Sequence, residues 1–388
     1  MSAPFRRETA LPRNPGIDAL RGVSILLVVL HHLALRIPPK ATALADVVPG
    51  RVLGAFAYNG YEAVFVFFVI SGFLIASHCL ARWGSLADID LGAFYARRAG
   101  RILPCLLLLL ALLSLLHLAG AADYVIQRPG QSLPRALLAA LGLHLNWYEG
   151  ATGYLPGSWD VLWSLSIEEV FYLGFPLACR LVRSRGLLAL VLAALVCAIP
   201  FALMAITGSE IWKEKAYLPG MGAIAAGVLV ALAMQRCPQP PRALVVAIGA
   251  FGTTGLLALM FAMRELWPLL HDAVMFWLVV CAACFVYALA HAHGPGLRAL
   301  AWLRSMGRYS YEIYLGHMFV VFAIVAAFKA SGADARSGWL WYPPAVLACW
   351  ALGALVGRFY SDPCAKAMTR RLGRVCAGRT IEDRPTSP

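Results

Sequence analysis

Apolar runs close to 20 residues long recur from one end of the chain to the other. They lie at about 17–36, 55–80, 101–120, 158–180, 186–206, 216–235, 242–263, 271–291, 308–330 and 340–360. Each, as a helix, is long enough to cross ~30 Å of hydrocarbon. The pattern predicts an all-α, polytopic integral membrane protein with about ten transmembrane helices, because backbone groups inside a bilayer must be satisfied within the segment. A shorter apolar stretch at 133–145 falls below spanning length and is read as lying on, or dipping into, the outer leaflet. The weakly apolar remainder divides the chain into an N-terminal tail over 1–16, a transmembrane domain over 17–360 and a basic C-terminal tail over 361–388.

Composition agrees with the pattern. Of 388 residues, 61% are hydrophobic and 14% charged, whereas a soluble domain carries roughly 25% charged residues. The net charge of +13 is read as topology rather than as affinity for nucleic acid, since Lys and Arg gather in cytoplasmic loops. With ten spans and both termini cytoplasmic, 22 basic residues fall inside and 10 outside, with Arg21 left within the first span. Letting 133–145 cross would move Arg180, Arg183 and Arg185 outside and invert every later loop. The first run follows Arg6, Arg7 and Arg13 without a small-residue cleavage site, so it is read as a span rather than a signal peptide. The ten cysteines are scattered, most of them inside apolar runs, Cys281 and Cys284 included; they read as small buried apolar residues, with no disulfide framework or metal site.

The chemistry lies in polar residues within the spans, where a charge costs roughly 2.5–3.5 kcal/mol on insertion scales. Arg21 and His32 are 11 residues apart in the first run. At 100° per residue that is three turns plus about 20°, so both occupy one helix face, ~16 Å apart along the axis. Asp18, one turn before Arg21, can pair with it, while His31 points about 80° away from His32. A bland alternative is an arginine snorkelling to the interface and a histidine at the opposite boundary.

The fourth run holds Glu168 and Glu169 near the middle of an otherwise apolar helix, with Ser166 and Tyr172 on the face of Glu169. At least one carboxyl should meet a polar cavity, unless the pair makes only an interhelical hydrogen bond. Arg98 and Arg101 sit one turn apart at the start of the third helix, where backbone N–H groups attract anions and arginine forks suit phosphates; by themselves they are also what ordinary positive-inside topology gives. The ninth run opens with Tyr311 and Glu312 and continues to His317, which either lines the same cavity or makes a bonded helix contact. Ser71 and Gly72 in the second run read as close-packing residues.

Taken together, Arg21-x10-His32, FFVISGFL (Phe67–Leu74), Arg98-x-x-Arg101 with Pro104, WSLSIEEVFY (Trp163–Tyr172) and SYEIYLGH (Ser310–His317) resemble the membrane acyltransferase-3 family. The motifs stand in the family's order across roughly residues 15–320. The resemblance implies a ten-span enzyme of the inner (plasma) membrane and of the stand-alone form, without a C-terminal esterase-like domain. Such an enzyme takes an acyl group, usually acetyl, from cytoplasmic acyl-CoA as co-substrate, with no tightly bound cofactor. It passes the group to a hydroxyl of a sugar in a surface polysaccharide, lipid-linked glycan or glycoside. Arg98 and Arg101 would then hold the CoA phosphates. His32 would deprotonate the acceptor or carry the acyl group, with Arg21 on the same face and a glutamate, Glu168 or Glu169, orienting the imidazole as in a triad.

A transporter or flippase is the competing class, with Arg21, His32 and Glu168 as a proton relay. No repeat relates the two halves of the chain, and an arginine pair near a cytoplasmic surface has no use in such a relay.

Overall fold

The computed structural model describes residues 13–292 and 294–368. Arg6, Arg7 and most of the two expected tails, residues 1–12 and 369–388, lie outside the described residues. The principal helices are α1 (Pro15–Ala34), α2 (Gly60–Trp83), α3 (Leu91–Leu118), α4 (Leu162–Leu181), α5 (Arg185–Cys197), α6 (Ile199–Ala205), α7 (Tyr217–Arg236), α8 (Arg242–Phe261), α9 (Val274–His291), α10 (Ala301–Arg308), α11 (Ser310–Ala330) and α12 (Tyr342–Val356). Among the described residues no strand occurs. Among the described residues nine helical stretches are long and apolar enough to cross a membrane, or ten if α5 and α6, bent by 43°, count as one span. The bend falls at Ala198, just before Pro200, whose ring removes a backbone donor. The protein is a multi-pass, all-α membrane protein.

Four boundaries depart from the apolar pattern, each for a local reason. The second run breaks at Asn59, leaving a separate helix Gly50–Tyr58. Gly60 then opens α2 against the His31 ring, where a Cβ would come within 2.5 Å of His31 Cβ. α3 begins at Leu91, well before residue 101, because the Asp90 side chain accepts from Ala93 N at 2.8 Å and caps it. The ninth run divides at Tyr309 into the amphipathic α10 and the buried-faced α11. The last run passes from α12 through a π-helical turn, Gly357–Ser361, and stays helical to Met368. The stretch 133–145 is no span: it forms Leu133–Leu141 and the start of Leu145–Thr152, separated by Leu143 at φ 58°.

α1 is the hub, in contact with α2, α9, α10, α11 and α12. Asn14 caps it, accepting from Gly16 N at 2.9 Å and Ile17 N at 3.1 Å, while its amide donates to the Leu289 carbonyl at the end of α9. α10 lies backbone to backbone on α1. A Cβ on Gly22 would stand 2.0 Å from Leu303 O, and one on Gly307 1.8 Å from Asp18 O. α2 and α7 meet in the same way, Gly72 against Ile224 O at 1.8 Å and Gly227 against Val69 O at 1.9 Å. Such small-residue contacts replace the hydrophobic effect as the packing device inside lipid.

Candidate active site

The site is built along α1 between two polar levels. At the upper level His32 meets His317 of α11, their ring centroids 5.0 Å apart and tilted by 45°. His317 is fully buried. Its Nδ1 donates to the Tyr314 carbonyl at 2.7 Å, and its Nε2 has no hydrogen-bond partner. With the proton on Nδ1, Nε2 presents a lone pair inside the protein. Tyr314 ties this level to α4, its hydroxyl accepting from Ser164 Oγ at 2.8 Å. Arg36 closes the end of α1, donating to the His32 carbonyl at 2.8 Å and lying 4.8 Å over the Phe322 ring.

At the lower level Arg21 donates to Ser310 Oγ at 2.8 Å, joining α1 to the start of α11. Tyr311 donates to the Ile102 carbonyl at 3.0 Å and so fixes α11 against α3. Arg98, of α3, lies with its guanidinium 3.6 Å over the Tyr172 ring of α4. Tyr172 donates to Glu168 Oε1 at 3.1 Å. With that proton committed, the Ser71 hydroxyl is the donor to Tyr172. The polar chain Ser71–Tyr172–Glu168 therefore links α2 to α4, capped by the Arg98 cation. Glu169 Oε1 is buried and without a protein partner. Arg101, by contrast, is exposed.

A buried ion cluster pins the segment between α3 and α4. Lys215, 2% exposed, pairs with the fully buried Glu149 and with Asp160. Burial and the neighbouring Asp160 raise the Glu149 carboxyl, and Lys215 pulls it back down. Among the aromatic residues nearby, Trp159 is wholly buried and the Tyr148 hydroxyl accepts from Ser132 N at 2.9 Å, so both serve the scaffold. Trp147 is exposed, edge-on to Trp212.

Residues 14–358 match the acyltransferase domain family. The chain belongs to the acyltransferase-3 family. Among curated relatives it is 25% identical over 339 residues to O-acetyltransferase OatA of Staphylococcus aureus (strain NCTC 8325 / PS 47), covering 78% of this chain and 50% of that protein. It is 28% identical over 334 residues to acyltransferase MdmB of Streptomyces mycarofaciens, covering 80% of this chain and 79% of that one. It is 25% identical over 336 residues to the putative peptidoglycan O-acetyltransferase YrhL of Bacillus subtilis (strain 168), covering 79% and 48%. The chain thus spans about half the length of OatA and YrhL. No solved structure matches it.

Within this family member, several expectations from the sequence need correction. Asp18 pairs with Arg13 at 3.2 Å rather than with Arg21, whose guanidinium turns to Ser310. Arg98 and Arg101 are not at a helix start: Asp90 caps α3, so they lie about two and three turns inside it. Among the described residues no hydrogen bond joins Glu168 or Glu169 to His32. α4 runs antiparallel to α1, and Glu168 stands one turn, ~6 Å, inward of the Ser164–Tyr314 contact. Tyr172 chooses Glu168, four residues before it, over the three-residue neighbour Glu169. Ser166 is buried with its hydroxyl on the Leu162 carbonyl at 3.3 Å, apart from these contacts. Gly72 is a packing residue as expected, but Ser71 is not merely one. His317 is brought to His32, and Tyr314 and Arg36 were not singled out at all. Their signal was a tyrosine one turn before His317, early in the ninth run, and an arginine one turn after His32, at the end of the first.

Proposed function

We propose that this protein is an O-acyltransferase of the inner (plasma) membrane, moving an acetyl group from cytoplasmic acetyl-CoA to a sugar hydroxyl of a surface glycan or glycoside. The observation that carries the proposal is the His32–His317 pair at one end of α1, with His317 fully buried, and Arg21 about 16 Å away on the same helix face. Anionic donor chemistry belongs to the arginine level and acyl transfer to the histidine level. The names of the relatives, two of them O-acetyltransferases, support an oxygen acceptor and an acetyl group.

His32 takes the proton of the acceptor hydroxyl as the oxygen attacks the thioester carbonyl. The C–S bond breaks, CoA leaves as the thiolate, and the proton on the imidazole returns to it. The Nε2 lone pair of His317 offers a second seat for that proton within the pair. Positioning alone supplies much of the rate, since a hydroxyl held in the right geometry reacts as a unimolecular partner. An ion relay has no use for arginines gathered at one end of the hub helix.

The test is to incubate membranes holding the parent protein, His32→Ala or His317→Ala with radiolabelled acetyl-CoA and to follow label on extracted glycan. His32→Ala should abolish transfer, and His317→Ala should lower it by a general-base factor of about 10²–10⁴. Undiminished transfer by folded His32→Ala would refute the proposal.

A further inference from the structure

An open cleft of about 350 Å³ lies at the start of α1, lined by Arg13 and Asp18 on one side and by Arg304, Ser305 and Arg308 of α10 on the other. None of these residues carries the chemistry described above, and the volume is that of a small-ligand site. The cleft is constructed rather than incidental. Gly22 and Gly307 lock α10 onto α1, and Arg304 and Arg308, four residues apart, share the face of α10 that borders it. Arg304 donates to the Leu297 carbonyl at 2.6 Å. Gly296, at φ +73°, folds the preceding loop so tightly that a Cβ there would stand 2.8 Å from Pro15 Cβ and 3.2 Å from Arg304 Nη1. Asp18 is already paired with Arg13, so three guanidinia face a single, neutralised carboxylate. Arg21 stands one turn beyond Asp18 along α1.

Resting on the proposed acyl-CoA donor, we infer that this cleft holds the 3′-phosphorylated adenosine end of the donor, with the diphosphate drawn to Arg21 and Arg101. Guanidinium forks bind phosphate bidentately, and two separated phosphate groups suit two separated sets of arginines. Length fits as well. The pantetheine arm, equivalent in backbone atoms to about four extended residues, spans ~15 Å. Arg21 to His32 is ~16 Å along α1. A donor anchored by its diphosphate at Arg21 thus brings its thioester to His32, and its adenosine 3′-phosphate remains behind at the cleft. Arg98, stacked on Tyr172, is left to flank the arm rather than to hold the nucleotide.

An anionic lipid headgroup offers the same phosphate chemistry, and the experiment separates the two sources. Acetyl transfer is measured in membranes with acetyl-CoA and with 3′-dephospho-acetyl-CoA, for the parent and for the Arg304→Gln/Arg308→Gln double variant. For the parent, the KM should be about tenfold lower with acetyl-CoA than with the dephospho donor, the worth of one charge-assisted contact. The double variant should lose that preference, its KM for acetyl-CoA rising to the dephospho value while the dephospho KM stays put. Adenosine 3′,5′-bisphosphate should inhibit the parent competitively and the variant about tenfold more weakly. Equal increases for both donors, or no change for either, would overturn the inference while leaving the donor intact. A loss restored by phosphatidylglycerol vesicles, with no donor discrimination, would assign the cleft to lipid and overturn it too. Failure of the parent to use either donor would overturn the donor and the cleft's assignment together.

Discussion

Replacing Gly22 by alanine should cripple the enzyme although Gly22 itself has no chemistry. The added Cβ would stand 2.0 Å from Leu303 O and 2.7 Å from Leu303 C. Both are backbone atoms, so no flexible side chain can yield. To regain an ordinary 3.4 Å contact, α10 must retreat from α1 by about 1.4 Å. Overpacking of this kind costs about 1–3 kcal/mol. The functional cost is larger, because α10 runs through Tyr309 directly into α11. A shift there stretches the 2.8 Å bond from Arg21 to Ser310 and moves the helix that carries His317. Misplacement by about 1 Å costs on the order of 10²-fold in rate. The assay is the initial acyl-transfer rate per folded protein in detergent, paired with a thermal unfolding scan. Gly174→Ala is the control, since a Cβ at Gly174 would meet nothing within 4 Å. Gly22→Ala should unfold at a lower temperature and transfer about 10²-fold more slowly, with Gly174→Ala unchanged in both. Parent-like rate and stability in Gly22→Ala would show that α1 and α10 are not locked backbone to backbone, and the placement of Ser310 and His317 would fall with that contact.

Two further outcomes follow from the buried polar clusters. Lys215→Met strands Glu149 and Asp160 without their cation, and breaking a buried pair by removing one partner costs about 3–5 kcal/mol. The thermal midpoint should drop sharply and recover in part when Glu149→Gln is added; an unchanged midpoint in the single variant would count against the cluster. Tyr172→Phe keeps the ring beneath Arg98 but deletes the bonds to Glu168 and Ser71, whereas Tyr172→Leu removes the ring as well. A desolvated cation–π contact is worth about 2 kcal/mol, so Tyr172→Leu should perturb the KM for acetyl-CoA more than Tyr172→Phe, and equal effects of the two variants would speak against a role for the Arg98 stack.

What the sequence revealed and what it hid divide along one physical line. Hydrophobic periodicity is a local property, so the spans, their number and the failure of 133–145 to cross were legible in it. Arg21 and His32 were legible for the same reason, because the face they share depends only on the geometry of α1. Helix boundaries apart, the errors concern which neighbour a polar group meets. Asp18 had two arginines within reach, and the ion pair went to Arg13 because packing at Gly22 and Gly307 brings Ser310 to Arg21 instead. Arg98 seemed to belong to a helix start because the apolar run begins after it, but the Asp90 cap extends α3 through a polar stretch that hydropathy cannot assign to a helix. The partner of His32 lies 285 residues away in the chain, and no spacing rule reaches that far. What decides it is the antiparallel run of α4, which sets Ser164 and Tyr314 at the histidine level and leaves Glu168 a turn short. The arginine and histidine levels of the site are thus separated by helix geometry that the sequence shows, and each level is assembled by helix packing that it does not.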